Sequence, residues 1–429
     1  MNTATLQLIA FGSLAFVVGI LLLVNMVREL TPDARRKGYL AIGLGSGVIA
    51  FGLKIGLIVV FSQYPSTMLA LVPSKTYSRA PMIELAKQQH TVKAYTWQAL
   101  PDIAPYPTDN LPSAQKIALG KKLFFDKRLS VDNSVSCASC HEVSIEKGGA
   151  DGLTVSKGID NQLGTRNAPT VLNAAFQRVL FWDGRAASLE EQAKGPLVNP
   201  VEMGMPSLEH VVQKVQALPE YPALFAKAFN TTQAINIDNI VKAIASYERT
   251  LITPNSAYDR FVKGEVGALS EQQIRGMVLF DSTGCVQCHG GPNFSQASLF
   301  ENEAPHRLFP AVPNTEFETQ YALNEDLGVA SHITDAKRGV WRIPSLRNVS
   351  RTAPYFHNGS VTSLKEAVQI MARVQLNKQL TNKAQADKTI HWLDNNQQFS
   401  VSANQALSDA EIDDIVAFLE ALDGELPNT

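Results

Sequence analysis

The sequence predicts an all-α fold: two similar helical domains in tandem, preceded by a two-helix transmembrane hairpin. Three observations predict it. Apolar residues recur at helical spacing through most of the chain, and strand alternation is scarce. A glycine-then-apolar segment leads twice into a Cys-x-x-Cys-His motif. Two long apolar runs stand near the N-terminus.

The apolar runs set the first element. Leu8 to Val27 carries no charged side chain, and Tyr39 to Phe61 is broken only by Lys54. As a helix each is long enough for about 30 Å of hydrocarbon. Met1 to Gln7 lacks the Lys or Arg of a secretory signal. Arg28, Arg35, Arg36 and Lys37 lie between the runs, so the positive-inside rule puts that loop in the cytoplasm. The expectation is a bacterial inner-membrane anchor, with membrane lipid as a partner and the rest of the chain in the periplasm. Gly43, Gly47, Gly52 and Gly56 suit close packing of the hairpin. Lys54 is assigned no role.

Residues 1–63 are thus read as the hairpin. Residues 64–112, punctuated by Pro65, Pro73, Pro81, Pro101, Pro105, Pro107 and Pro112, are read as a periplasmic tether. Residues 113–254 and 255–429 are read as the two helical domains. Ser113 caps a helix through Ile117, Leu119, Leu123 and Phe124. Asn239 to Leu251 forms an amphipathic helix ended before Pro254. Ser270 with Gln273 and Ser408 with Glu411 read as capping boxes before apolar stripes. The internal repeat pairs Gly120, Leu123 and Phe124 with Gly276, Leu279 and Phe280.

The chemistry resides in the cysteines. All four belong to Cys137-Ala-Ser-Cys140-His141 and Cys285-Val-Gln-Cys288-His289. Two thiols at this spacing add to the vinyl groups of a porphyrin, and the adjacent histidine reaches the iron. One zinc site of four cysteines would keep its pairs closer in sequence and has no need of the two histidines. Thioredoxin-like chemistry would call for one pair in an α/β setting. The reading is two covalently bound c-type haems in two cytochrome c-like domains. For the sixth iron position His90, His210, His306, His332, His357, His391 and several methionines stay open; spacing does not choose among them. Charge is balanced, with 38 basic against 40 acidic residues, and no basic tract points to nucleic acid.

Longer motifs follow: Arg166-Asn-Ala-Pro-Thr170, Phe181-Trp-Asp-Gly-Arg185, Glu191-Gln-Ala-Lys-Gly-Pro196, Val201-Glu-Met203, Pro344-Ser-Leu-Arg-Asn348, Thr352-Ala-Pro-Tyr-Phe-His-Asn-Gly359 and Ser363-Leu-Lys-Glu-Ala-Val368. Over about residues 110–425 the chain resembles the bacterial dihaem cytochrome c peroxidases. The resemblance implies reduction of hydrogen peroxide with electrons from a small periplasmic cytochrome c or cupredoxin. It makes the haem on His141 peroxidatic and the haem on His289 the electron-entry site, with Met371 as its axial methionine. It makes Trp182 a tryptophan between the haems, Glu202 the distal carboxylate and Gln192 a distal amide. It also implies Ca²⁺ held by Asn167 and the carbonyls of Thr352 and Pro354, and it is compatible with a homodimer.

One departure stands out. Many members carry a distal histidine in the loop after the first motif, but residues 142–166 contain none. Its place falls at Ile159, with Lys157 the nearest nitrogen side chain. The first haem is therefore expected to keep an open or water-bound sixth position. Two other functions compete: a dihaem enzyme that oxidises a protein substrate, and a tethered electron-transfer cytochrome. Met371 argues against the first, since those enzymes use tyrosine there. Glu202 and Gln192 would be superfluous in the second.

Overall fold

Each cysteine motif is reached through a helix that opens on a serine cap and carries a glycine in its middle. In the computed structural model these are α1, Ala114–Phe125, and α8, Glu271–Ser282. Ser113 accepts from the Lys116 N–H, and Ser270 forms a capping box with Gln273. The glycines explain the repeat. A Cβ on Gly120 would lie 1.9 Å from the Ala243 carbonyl oxygen, and one on Gly276 would lie 1.8 Å from that of Asp414. Only a residue without a side chain lets the helices cross so closely. The partners are α6, Ile237–Glu248, and α11, Asp409–Glu420, the latter opened by the Ser408/Glu411 capping box. Replacing Gly120 or Gly276 by alanine is expected to cost about 1–3 kcal/mol through overpacking. Denaturant unfolding of each variant measures it, and an unchanged midpoint would contradict the close crossing.

Between these pairs lie α2, Cys137–Cys140; α3, Leu189–Val198; α4, Leu208–Ala217; α5, Tyr221–Phe229; and α7, Ala257–Val262. After α8 come α9, Glu316–Gln320, and α10, Leu364–Val374. Leu119, Leu123, Phe124, Tyr221, Phe225, Ile240, Ile244 and Tyr247 fill the core around α1 and α6. Phe280, Phe294, Phe418 and Tyr258 pack edge to face or tilted near α8 and α11.

The structure describes residues 74–77, 96–381, 390–393, 399–400 and 406–426. The chain divides into two compact units, residues 1–76 with 391–398, and residues 77–390 with 399–429. All helices named above lie in the larger unit. In the segment read as a tether, Leu100, Ala104 and Asn110 are buried, and the Leu100 N–H donates to Asp259.

Two expectations are corrected. The fold is mostly helical and not all-α. Short strands His306–Leu308 and Val340–Arg342 pair antiparallel, and Gln379–Thr381 pairs in parallel with Ala406–Ser408. Three-residue ladders leave too little periodicity to stand out beside helical stripes. The transmembrane hairpin is also corrected. Among the described residues no helix is long and apolar enough to cross a membrane. The longest of them have 12 residues, about 18 Å of rise against about 30 Å of hydrocarbon. The two apolar runs, at residues 8–27 and 39–61, lie outside the described residues. Inner-membrane anchoring and a lipid partner rested on those runs, and periplasmic placement on the basic loop between them together with covalent haem attachment; with no spanning helix among the described residues, these expectations are corrected with the hairpin.

Candidate functional site

The first motif forms the short helix α2, capped by Ser136 and Ser139 in a reciprocal box. Cys137 and Cys140 are free thiols whose pKa values burial pushes up to about 12 and about 11. Burial lowers the pKa of His141, while the Asp151 carboxylate and, less, the carbonyls of Pro169 and Gly149 pull it up. At the second motif burial likewise raises the pKa of Cys285, to about 11. Burial also raises that of Cys288, against the pull of Arg307. Burial holds His289 down at about 4.

These residues fit covalently attached haem. Neither cysteine pair is spent on a disulfide. The His289 Nδ1 lies 3.2 Å from the Phe294 carbonyl oxygen, which can only accept. Nδ1 therefore carries the proton, and Nε2 keeps its lone pair for a metal. A ligand imidazole held by a backbone carbonyl on its far side is the usual arrangement.

Glu202 is placed by the turn that ends α3. Its backbone N–H donates to the Asn199 carbonyl at 3.2 Å, and the Asn199 amide donates to the Glu202 Oε1 at 2.8 Å. Burial raises the pKa of Glu202, while Arg185 opposes the rise. The carboxylate is close enough to help raise the pKa of both Cys137 and Cys140. Gln192 is half-buried on α3, one turn after its Ser188 cap.

The loop after the first motif docks against this turn. The Ile159 N–H donates to the Glu202 carbonyl at 3.0 Å, and a Cβ on Gly158 would meet the Val201 carbonyl at 1.8 Å. Ile159 is buried and reaches the α-carbon side of Gly204, whereas Lys157 is exposed. Position 159, where a distal histidine would fall, thus presents a packed aliphatic side chain.

Trp182 donates its indole N–H to the Asn167 carbonyl at 2.8 Å. The Asn167 side-chain amide donates to the Leu153 carbonyl at 2.8 Å, which leaves its Oδ1 as an acceptor. The Asn167 N–H donates to the His357 carbonyl, so Asn167 and the segment holding Thr352 and Pro354 are tied together. Among the described residues no group of three or more His, Cys, Asp or Glu side chains is arranged to hold a metal ion. Met371 lies on α10, partly buried.

Of the histidines left open, His210 contacts Ser207 at the start of α4, and His306 lies 3.2 Å from the Asp183 carbonyl. His332 comes within 3.9 Å of the Asp183 carboxylate. His357 is stacked on Trp341, with ring centroids 4.1 Å apart. His90 and the side chain of His391 lie outside the described residues.

Several groups carried no legible signal in sequence. Arg166 pairs with Asp183 at 2.7 Å and with Asp326 at 2.8 Å, and it covers the Trp341 ring. Glu248 and Asp281 are buried, each with one carboxylate oxygen lacking a hydrogen bond. Burial raises both to about 8. Glu248 adds to the upward shift of Cys137. Nothing in spacing marks such residues, because their character comes from what encloses them.

Comparison with known proteins follows the same division. A family model described as di-haem cytochrome c peroxidase matches residues 114–267, and one described as cytochrome c matches residues 273–423. Cytochrome c551 peroxidase of Nitrosomonas europaea is 40% identical over 292 residues, 68% of this chain and 82% of that protein. Cytochrome c551 peroxidase of Pseudomonas aeruginosa is 39% identical over 317 residues, 73% of this chain and 80% of that protein. Among solved structures, a MauG-like protein associated with microbial copper homeostasis superposes with a TM-score of 0.62 and 30% identity. That match covers 77% of this chain and 96% of the other. With likeness of this extent over both haem-attachment regions, the chain belongs to the dihaem cytochrome c peroxidase family and is a peroxidase-type oxidoreductase carrying two covalently bound c-type haems.

Proposed function

We propose that the protein reduces hydrogen peroxide to water at the haem held by His141, with electrons that enter through the haem held by His289 and Met371. The observation that carries this reading is Glu202: a half-buried carboxylate fixed by Asn199 and felt by both cysteines of the first motif.

The haem supplies the electron exchange with peroxide. Glu202 takes the proton from one peroxide oxygen and returns it to the other, which leaves as water. Its raised pKa brings it nearer to neutrality, where a carboxylate both accepts and gives up a proton readily. Gln192 orients the peroxide through its side-chain amide. Asn199 keeps the Glu202 carboxylate from swinging away. The Trp182 indole, with its proton held by the Asn167 carbonyl, lies on the route between the haem sites. Met371 and His289 would hold the second haem, and a thioether in that pair would favour the higher potential that electron entry requires.

The donor is a small redox protein, a c-type cytochrome or a cupredoxin. The Asn167 Oδ1 and the carbonyls of Thr352 and Pro354 would hold calcium, since oxygen donors suit that ion. The packed Ile159 supports a first haem without a protein ligand in its sixth position. The fully oxidised, haem-loaded protein should then show a high-spin ferric signal by electron paramagnetic resonance. Two low-spin signals alone would refute the open position.

The whole reading is tested by mixing oxidised holoprotein with peroxide and then adding a reduced small cytochrome. Catalytic oxidation of the cytochrome is expected without prior reduction of the protein. Activity only after partial reduction would overturn the open first site. Inertness in both states would favour an electron carrier.

A further inference from the structure

Between the segments that follow the two attachment motifs lies a short aromatic stack that includes a residue beyond Trp182. On the first side, His141 faces the Pro169 carbonyl, two residues from Asn167, whose own carbonyl accepts the Trp182 indole N–H. On the second side, His289 faces the Pro344 carbonyl, three residues from Trp341. The sides meet twice. The Arg342 N–H donates to the Trp182 carbonyl at 2.9 Å. His357 lies between the indoles, stacked on Trp341 at 4.1 Å and 19°, and edge-on to Trp182 at 6.5 Å.

We propose that Trp341 is a second redox-active tryptophan, which hands single electrons from the second haem site through His357 and Trp182 to the first. This rests on the peroxidase reading above. Three features suit Trp341 to the role. It is only 4% exposed, so an oxidised ring meets water and bulk peroxide slowly while a donor is present to refill it. Its indole N–H has no hydrogen-bond acceptor, so the ring keeps its proton when it loses an electron. The Arg166 guanidinium, 4.9 Å over the ring, would by itself oppose a positive charge there, but Asp183 and Asp326 both pair with it. His357 packs its neutral ring against the indole; burial holds its pKa at about 4.

The balance closes. Reduction of one peroxide takes two electrons and two protons and yields two waters. For each electron, Trp341 gives one toward the first haem site and regains one from the second. It ends unchanged, and no proton crosses the stack.

The test is made on the unaltered holoprotein. Oxidised protein is treated with excess peroxide without donor, digested, and mapped by mass spectrometry. Oxygen uptake at Trp341 is expected, and a reduced donor present from the start should suppress it. The W341F holoprotein, frozen within milliseconds of mixing, should lose tryptophan-radical intensity relative to wild type. An unmodified Trp341 in protein that turns over peroxide would overturn the relay alone. So would labelling indifferent to donor, or an undiminished radical in W341F. Protein that consumes no peroxide would overturn the peroxidase reading and the relay with it.

Discussion

Glu202→Gln lowers turnover of peroxide by about 10²- to 10⁴-fold, the range for loss of a positioned acid–base group. The substitution keeps the side-chain length, and the amide oxygen can still accept from Asn199. What is lost is the ability to take and return a proton. The wild-type rate should fall as pH falls through a midpoint above the usual glutamate value, because burial raises the Glu202 pKa and the base works only when ionised. The variant should lose this acidic limb. Stability should move the other way. A raised native pKa means that the folded chain holds the proton longer than the unfolded one. Its contribution is complete at low pH and is lost as pH rises through the native value. Glutamine never ionises, so the variant should be no less stable near neutrality. Steady-state rates and unfolding midpoints across pH check both parts. A rate unchanged within a factor of two or three would remove Glu202 from the chemistry.

Arg347→Ala destabilises the fold by about 3–5 kcal/mol, the cost of leaving one member of a buried ion pair alone. Arg347 and Asp259 are both fully buried and bind through two parallel contacts of 2.9 Å. The guanidinium also donates to the Pro292 carbonyl, and Asp259 accepts from the Leu100 N–H and from Ser256. One pair thus ties the segment around residue 100, α7, the turn after His289 and the Pro344–Asn348 segment. Lysine at 347 should recover only part of the loss, because it lacks the planar fork. Chemical denaturation gives the comparison. A loss under about 1 kcal/mol would mean that the pair behaves like one at the surface.

Parts of this molecule were legible without coordinates, and the reasons differ. Haem attachment could be read because thioether chemistry needs two thiols and a histidine within five consecutive residues. Helix starts could be read for the same reason: a capping box spans four residues, and Ser270/Gln273 and Ser408/Glu411 form the boxes expected of them. The glycine repeat was visible, but its cause was not. Gly120 and Gly276 meet Ala243 and Asp414, more than a hundred residues further along the chain. The short ladder of His306–Leu308 with Val340–Arg342 escaped notice because three residues carry too little alternation. The membrane hairpin was a reading of apolar length alone, on residues outside those described, and no described helix supports a span.

Local covalent and hydrogen-bonding requirements were therefore set by the sequence itself: two haem-attachment motifs, the helix caps and the repeat. Tertiary structure decided whatever depends on enclosure or on distant neighbours. It put Asn199 against Glu202, tucked Ile159 under Gly204, and stacked His357 between Trp341 and Trp182. The physical reason is range. A cap or an attachment motif acts over a few bonds, whereas a shifted pKa or an aromatic stack is a property of surroundings that only folding assembles.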